Sequence, residues 1–197
     1  MDTLSAAVML FLIMDPFGNT PTFHSVLKGV PEPERPRIIA REAVIALFIL
    51  LAFLFAGQHI MGFLNLKQPT LSISGGIILF VIALRMLFPR VEPEPELEES
   101  PLIVPLAMPL LAGPSAVAVL LLLASSAPQR MLDWTLALLL AWSLTAGILV
   151  ASPLLLKVLK RRGIKALERL MGMILIMVSV QMLLDGIAKY LGLSGGA

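Results

Sequence analysis

The stretch MDPFGNTP, Met14 to Pro21, puts a carboxylate, two prolines, a glycine, an asparagine and a threonine inside an apolar run. Residues of this kind do chemistry where a helix breaks. Proline lacks an amide hydrogen and clashes with the turn before it. It also disfavours helical geometry at the preceding residue. Pro16 and Pro21, with Gly18 and Asn19 between them, predict a short unwound segment. Asn19 or Thr20 then caps a new helix with Pro21 in its first turn. A second cluster, MPLLAGPS, repeats the pair as Pro109 and Pro114 with the same spacing, and Gly113 and Ser115 flank Pro114. Each break exposes carbonyls of the helix that ends, which attract cations, and amides of the helix that begins, which attract anions. A small zwitterion fits such a site. Its carboxylate sits on amides near Thr20 and Ser115, and its ammonium meets free carbonyls and Asp15. Asp15 either binds that ammonium or carries a coupled proton, because a lone carboxylate in hydrocarbon is costly. Proline–glycine kinks also serve as packing devices, and Asp15 bonded to freed amides is the structural alternative. Two breaks at matched depth, one with an acid, favour the functional reading.

The elements that hold these clusters must cross a membrane. Of 197 residues, 58% are hydrophobic and only 14% charged, more apolar surface than a soluble domain of this size can hide. Six apolar stretches, near 4–27, 38–58, 71–88, 102–124, 132–150 and 167–187, are long enough to span a ~30 Å hydrocarbon core. The fifth is expected to end at Val150 or to run on through Ser152-Pro153 to about Leu159. The first has neither the basic flank nor the cleavage site of a secretory signal, so it reads as a retained span. No sustained strand-like alternation suggests an outer-membrane barrel. Charged connections follow spans one (KGVPEPERPR), three (PRVEPEPELEES) and five (KVLKRRGIK). They and their flanks hold twelve of the fifteen basic residues, leaving Lys67, Arg130 and Lys189 for the other face. Cytoplasmic loops carry the basic excess, so both termini are expected outside.

The two halves echo each other. SISGGIILFVIALRML aligns with ERLMGMILIMVSVQML, pairing Gly76 with Gly172, Leu79 with Leu175 and Leu87 with Leu183. Each half has three spans, so the second enters from the opposite face. The expected fold is an all-α integral membrane protein of six transmembrane helices, a 3+3 inverted-topology repeat with broken first and fourth helices. Its organisation is residues 1–88, a cytoplasmic acidic Pro/Glu linker at 89–100, and residues 101–197. Small residues in SISGG read as a close helix contact, with Ser72 or Ser74 lining a pathway as the alternative.

Other chemistries find little here. There is no cysteine. His24 and His59 lie near opposite faces, so no metal site is expected. Asp2, Asp133 and Asp185 lie near faces, which leaves Asp15 without the partner an aspartyl protease needs. HExxH, GxSxG and Walker-type patterns are missing too, so neither an enzyme nor a cofactor is expected. The basic clusters read as orientation signals and lipid contacts rather than nucleic-acid contacts.

Four segments together, LIMDPFGNTPTF, SISGGIILFVIALRMLFP, VPLAMPLLAGPSA and LERLMGMILIMVSVQMLLDGI, make the chain resemble the MarC family of bacterial inner-membrane proteins. That family is also described as a small neutral amino acid transporter family. The resemblance implies six spans, a multi-pass location in the inner membrane, and glycine, alanine or related metabolites as substrates. It implicates Asp15, Pro16, Gly18, Asn19 and Pro21 in the first half and Pro109, Gly113 and Pro114 in the second. Where many relatives carry another glycine after the GP pair, this chain has Ser115. The expected function is a secondary transporter, with proton coupling attached to Asp15. The alternative is a membrane scaffold or accessory protein. Self-assembly into a homo-oligomer, the direction of transport and the coupling ion are left open.

Overall fold

The computed structural model describes residues 2–88 and 111–193. The 89–100 linker and the first part of the fourth span, with Pro109, lie outside the described residues. Among the described residues, seven α-helices run in chain order: α1 (Thr3–Met14), α2 (Pro16–Val26), α3 (Arg35–Phe63), α4 (Gln68–Leu87), α5 (Pro114–Ser126), α6 (Met131–Val150) and α7 (Ser152–Tyr190). No strand occurs among the described residues. Five stretches are long and apolar enough to cross a membrane: Thr3–Pro21, Arg35–Gly57, Gln68–Leu87, Pro128–Val150 and Arg162–Tyr190. α5 is a shorter apolar helix, since the residues expected to precede it in its span lie outside the described part.

Apolar residues cover the outside as well as the core. Leu4, Phe48, Phe55, Ile77, Leu132 and Leu144 are all exposed, which a bilayer tolerates and water does not. Inside, buried stripes at helical spacing meet in one cluster. It joins Ala6, Leu10 and Met14 of α1, Ala46 and Leu50 of α3, Ala116 and Leu120 of α5, and Ala137, Leu138 and Ala141 of α6.

Among the described residues, α4 and α7 form the most extensive helix contact. A Cβ added at Gly76 would meet Leu183 Cγ at 2.9 Å and the Ser179 carbonyl at 3.0 Å. One at Gly172 would meet Met86 Cβ at 3.1 Å, with the Ala83 carbonyl and Leu87 Cγ each at 3.3 Å. Gly186 faces Ile73 and the Pro69 carbonyl. The start of α4 thus meets the end of α7 and the reverse, so the two helices run antiparallel. Ser72 Oγ donates to the Met182 carbonyl at 2.7 Å and ties the same seam. Small residues and a hydroxyl do here what they do in hydrocarbon generally: they let backbones approach and supply a hydrogen bond. This is the packing reading of SISGG.

Three expectations need correction. The KVLKRRGIK segment is not a loop but part of the 39-residue α7. At 1.5 Å per residue, α7 is about 58 Å long and overshoots the hydrocarbon. Its apolar portion begins at Arg162. The fifth span does not run past Ser152: α6 stops at Val150, and Pro153 sits in the first turn of α7, where a missing amide costs nothing. The third correction concerns the first break, described next.

Candidate functional site

α1 and α2 are separated by one residue. Asp15 has φ +41°, the left-handed region, which helical geometry excludes but which Asp tolerates better than most residues. Pro16 keeps Asp15 out of the right-handed helical region and is itself suited to the first position of α2. The Asp15 amide still donates to the Phe11 carbonyl at 3.1 Å, closing α1. Its own carbonyl accepts from the Asn19 amide at 3.1 Å, opening α2. Asp15 Oδ1 accepts from the Gly18 amide at 3.1 Å, an N-cap bond. The expected unwound segment from Pro16 to Pro21 is therefore absent. Asp15, rather than Asn19 or Thr20, caps the new helix. Pro21 lies inside α2 and is exposed.

The other polar groups of the break also bond locally. Asn19 Nδ2 donates to the Met14 carbonyl at 2.9 Å, taking up an oxygen left free where α1 ends. Thr20 Oγ1, fully buried, donates to the Pro16 carbonyl at 2.8 Å. Phe11 and Phe17 meet edge to face across the kink at 6.2 Å. Gly18 lies hard against the Asp15 carboxylate: an added Cβ would sit 2.9 Å from its Cγ. Asp15 is 9% exposed.

The second cluster differs in one respect. α5 starts at Pro114 with Gly113 as its N-cap, and no side chain closes that end. The Val117 amide bonds the Gly113 carbonyl at 3.1 Å. Ser115 is 3% exposed in the first turn. Against its neighbour Pro114 lies an apolar hollow of about 460 Å³, walled also by Phe53, Leu71, Ala112 and Val117 among others. Met14, at the end of α1, shares one buried cluster with Leu111, Ala112 and Ala116 around the start of α5. The end of α1 and the start of α5 thus belong to one core.

Sequence reasoning missed one acid. Glu42 is completely buried, although it was passed over as part of a basic flank. The spacing of Ile39, Ala43, Ala46, Leu50 and Leu54, the buried stripe of α3, would have exposed it.

Apolar outer faces, membrane-length helices and a buried polar break define a multi-pass helical membrane protein. The chain belongs to the MarC family: the family model described as MarC family integral membrane protein matches residues 2–191. The chain is 51% identical over 193 residues to the UPF0056 inner membrane protein YhgN of Escherichia coli (strain K12), covering 96% of this chain and 98% of the relative. It is 50% identical over 191 residues to a UPF0056 membrane protein of Buchnera aphidicola subsp. Schizaphis graminum, covering 96% and 97%. A more distant relative is the UPF0056 membrane protein MJ1677 of Methanocaldococcus jannaschii, 34% identical over 190 residues, covering 90% and 92%. No solved structure matches the chain. Membership in this family, the apolar helices and the relatives' names together make it a multi-pass inner-membrane protein.

Proposed function

We propose that the chain is a secondary transporter, not an enzyme, for small neutral amino acids such as glycine or alanine, or for similar small zwitterions. The observation that carries this reading is the asymmetry of the two helix starts. The α2 end already holds a carboxylate of its own, Asp15 on the Gly18 amide. The α5 end has only a glycine at its cap. Free first-turn amides attract an anion, so the substrate carboxylate belongs at Ser115, and its ammonium faces Asp15. The apolar hollow against Pro114 suits a short neutral side chain and rejects a charged one.

The 3+3 inverted repeat is part of this proposal, and the α4–α7 seam supports it. One interval in sequence relates Gly76 to Gly172, Ala83 to Ser179 and Leu87 to Leu183. The contacts exchange accordingly: Gly76 faces Ser179 and Leu183, while Gly172 faces Ala83 and Leu87. A pseudo-two-fold axis produces that exchange, and transporters of this build rock one half against the other.

Purified protein in liposomes should take up labelled glycine or alanine saturably, in competition with unlabelled substrate and more strongly under a pH gradient. A flat result across small solutes would instead leave a scaffold. The basic excess in the first and third connections and in the first half of α7 supports a topology with both termini outside. Alkaline phosphatase fused to the C-terminus should therefore be active and a green fluorescent protein dark; a bright fluorescent fusion reverses the orientation.

A further inference from the structure

Glu42 and Thr145 are both 0% exposed, and Glu42 Oε2 and Thr145 Oγ1 have no hydrogen-bond partner. Unmet polar atoms are costly in a low-dielectric interior, and two of them lie in one layer. The Trp142 indole of α6 donates to the Ala43 carbonyl of α3 at 2.6 Å. Ala43 follows Glu42, and Thr145 comes one turn after Trp142. Glu42 lies seven residues, roughly 10 Å, from the start of α3, and Thr145 five residues, about 8 Å, before the end of α6. In spans of alternating direction those two helix ends share a face, so both groups fall on the same side of the Trp142 bond. Glu42 Oε1 is held by Arg41, at 2.9 Å from Nη2 and 3.1 Å from Nε. The Arg41 side chain is 52% exposed and can withdraw into water.

We infer that Glu42 and Thr145 form a binding site for a small monovalent cation, a proton or a sodium ion, in competition with Arg41. A carboxylate oxygen and a hydroxyl oxygen, both unpartnered on the same side of the Trp142 bond, are hard ligands for such an ion. A proton on Oε2 supplies the missing donor equally well. α3 packs chiefly against α5 and α6, and α6 in turn against α1 and α2, whose junction carries Asp15. α5 carries no charged residue, and α6 carries only Asp133, near its far end and bonded to Arg130 at 2.7 Å. On α3 itself the remaining titratable or cationic groups are Arg35, Arg37 and His59. The site binds its cation whether or not the chain carries an amino acid, so it is tested without flux.

Trp134 and Trp142 are the two tryptophans of the chain. In a Trp134→Phe background, Trp142 emission reports on the site in detergent micelles. A saturable response is expected either to sodium replacing choline at fixed pH, or to pH in sodium-free buffer, and the responding arm identifies the ion. Glu42→Gln should abolish it. Thr145→Val, which removes only the hydroxyl oxygen, should weaken the midpoint about tenfold, the loss of one charge-assisted contact. Arg41→Gln should tighten it, because a competitor is gone; a purely structural ion pair would not acquire cation affinity this way. No saturable response in either arm, or one unchanged by Glu42→Gln, overturns the inference. If Glu42→Gln does not fold, Thr145→Val decides: an unmoved midpoint is equally fatal.

Discussion

Asp15→Asn is expected to reach the membrane in normal amounts and to bind and move glycine about ten- to a hundredfold less well. Asn caps a helix about as well as Asp, so the bond to the Gly18 amide survives. What disappears is the negative charge. A hydrogen bond to a charged group is worth about 1.5–3 kcal/mol, and every 1.4 kcal/mol is about tenfold. Asp15→Ala differs in kind, because it removes both cap and charge. It should lose a further ~1 kcal/mol of stability from the missing cap and show a lower thermal midpoint. Comparing the two variants separates the structural duty of Asp15 from its proposed duty to substrate. If Asp15→Asn transports normally, the carboxylate serves α2 alone.

Gly18→Ala should be the most damaging single-methyl change in the first span. The new Cβ would overlap the carboxylate of Asp15, whose Cγ lies 2.9 Å away. The carboxylate would have to leave, taking its bond to the Gly18 amide with it. Overpacking costs typically 1–3 kcal/mol and the cap about 1, so a loss of about 2–4 kcal/mol is expected. Thermal unfolding in detergent measures it. The clash has a specific remedy. Asp15→Gly accepts the left-handed backbone without strain and has no side chain to strike. In that background, adding Gly18→Ala should cost little. An equal cost in both backgrounds would show that something other than this contact is responsible.

The break itself was legible, but its register was not. Helix-start chemistry admitted two solutions in MDPFGNTP. One capped at Asn19 or Thr20 with Pro21 in the first turn. The other capped at Asp15 with Pro16 in that position. Both satisfy the same local rule. The second lets α1 end and α2 begin with no unwound residue beyond Asp15, so fewer backbone groups go unpaired in hydrocarbon. Asn19 and Thr20 then become useful as partners for the Met14 and Pro16 carbonyls. The second-half start at Gly113 and Pro114 was read correctly, because glycine and proline left a single arrangement there.

Residue order alone settled that the chain lives in a membrane, where its apolar stretches fall, that Asp15 interrupts a helix and that Gly113 caps the start of one. These follow from hydropathy, proline chemistry and glycine freedom, which act over one or two turns and hardly depend on distant neighbours. The small residues of SISGG likewise marked a close helix contact, although not that α7 would be the partner. The continuity of α7 through a strongly basic stretch was decided in three dimensions, since exposed lysines and arginines are compatible with both helix and loop. So was the fate of each acid. Asp185 and Glu42 are both carboxylates on long apolar helices, yet Asp185 is exposed and bonded to Gln181, while Glu42 is sealed between helices. A carboxylate's environment depends on which face of its helix meets a neighbour, and that is a property of the packed bundle.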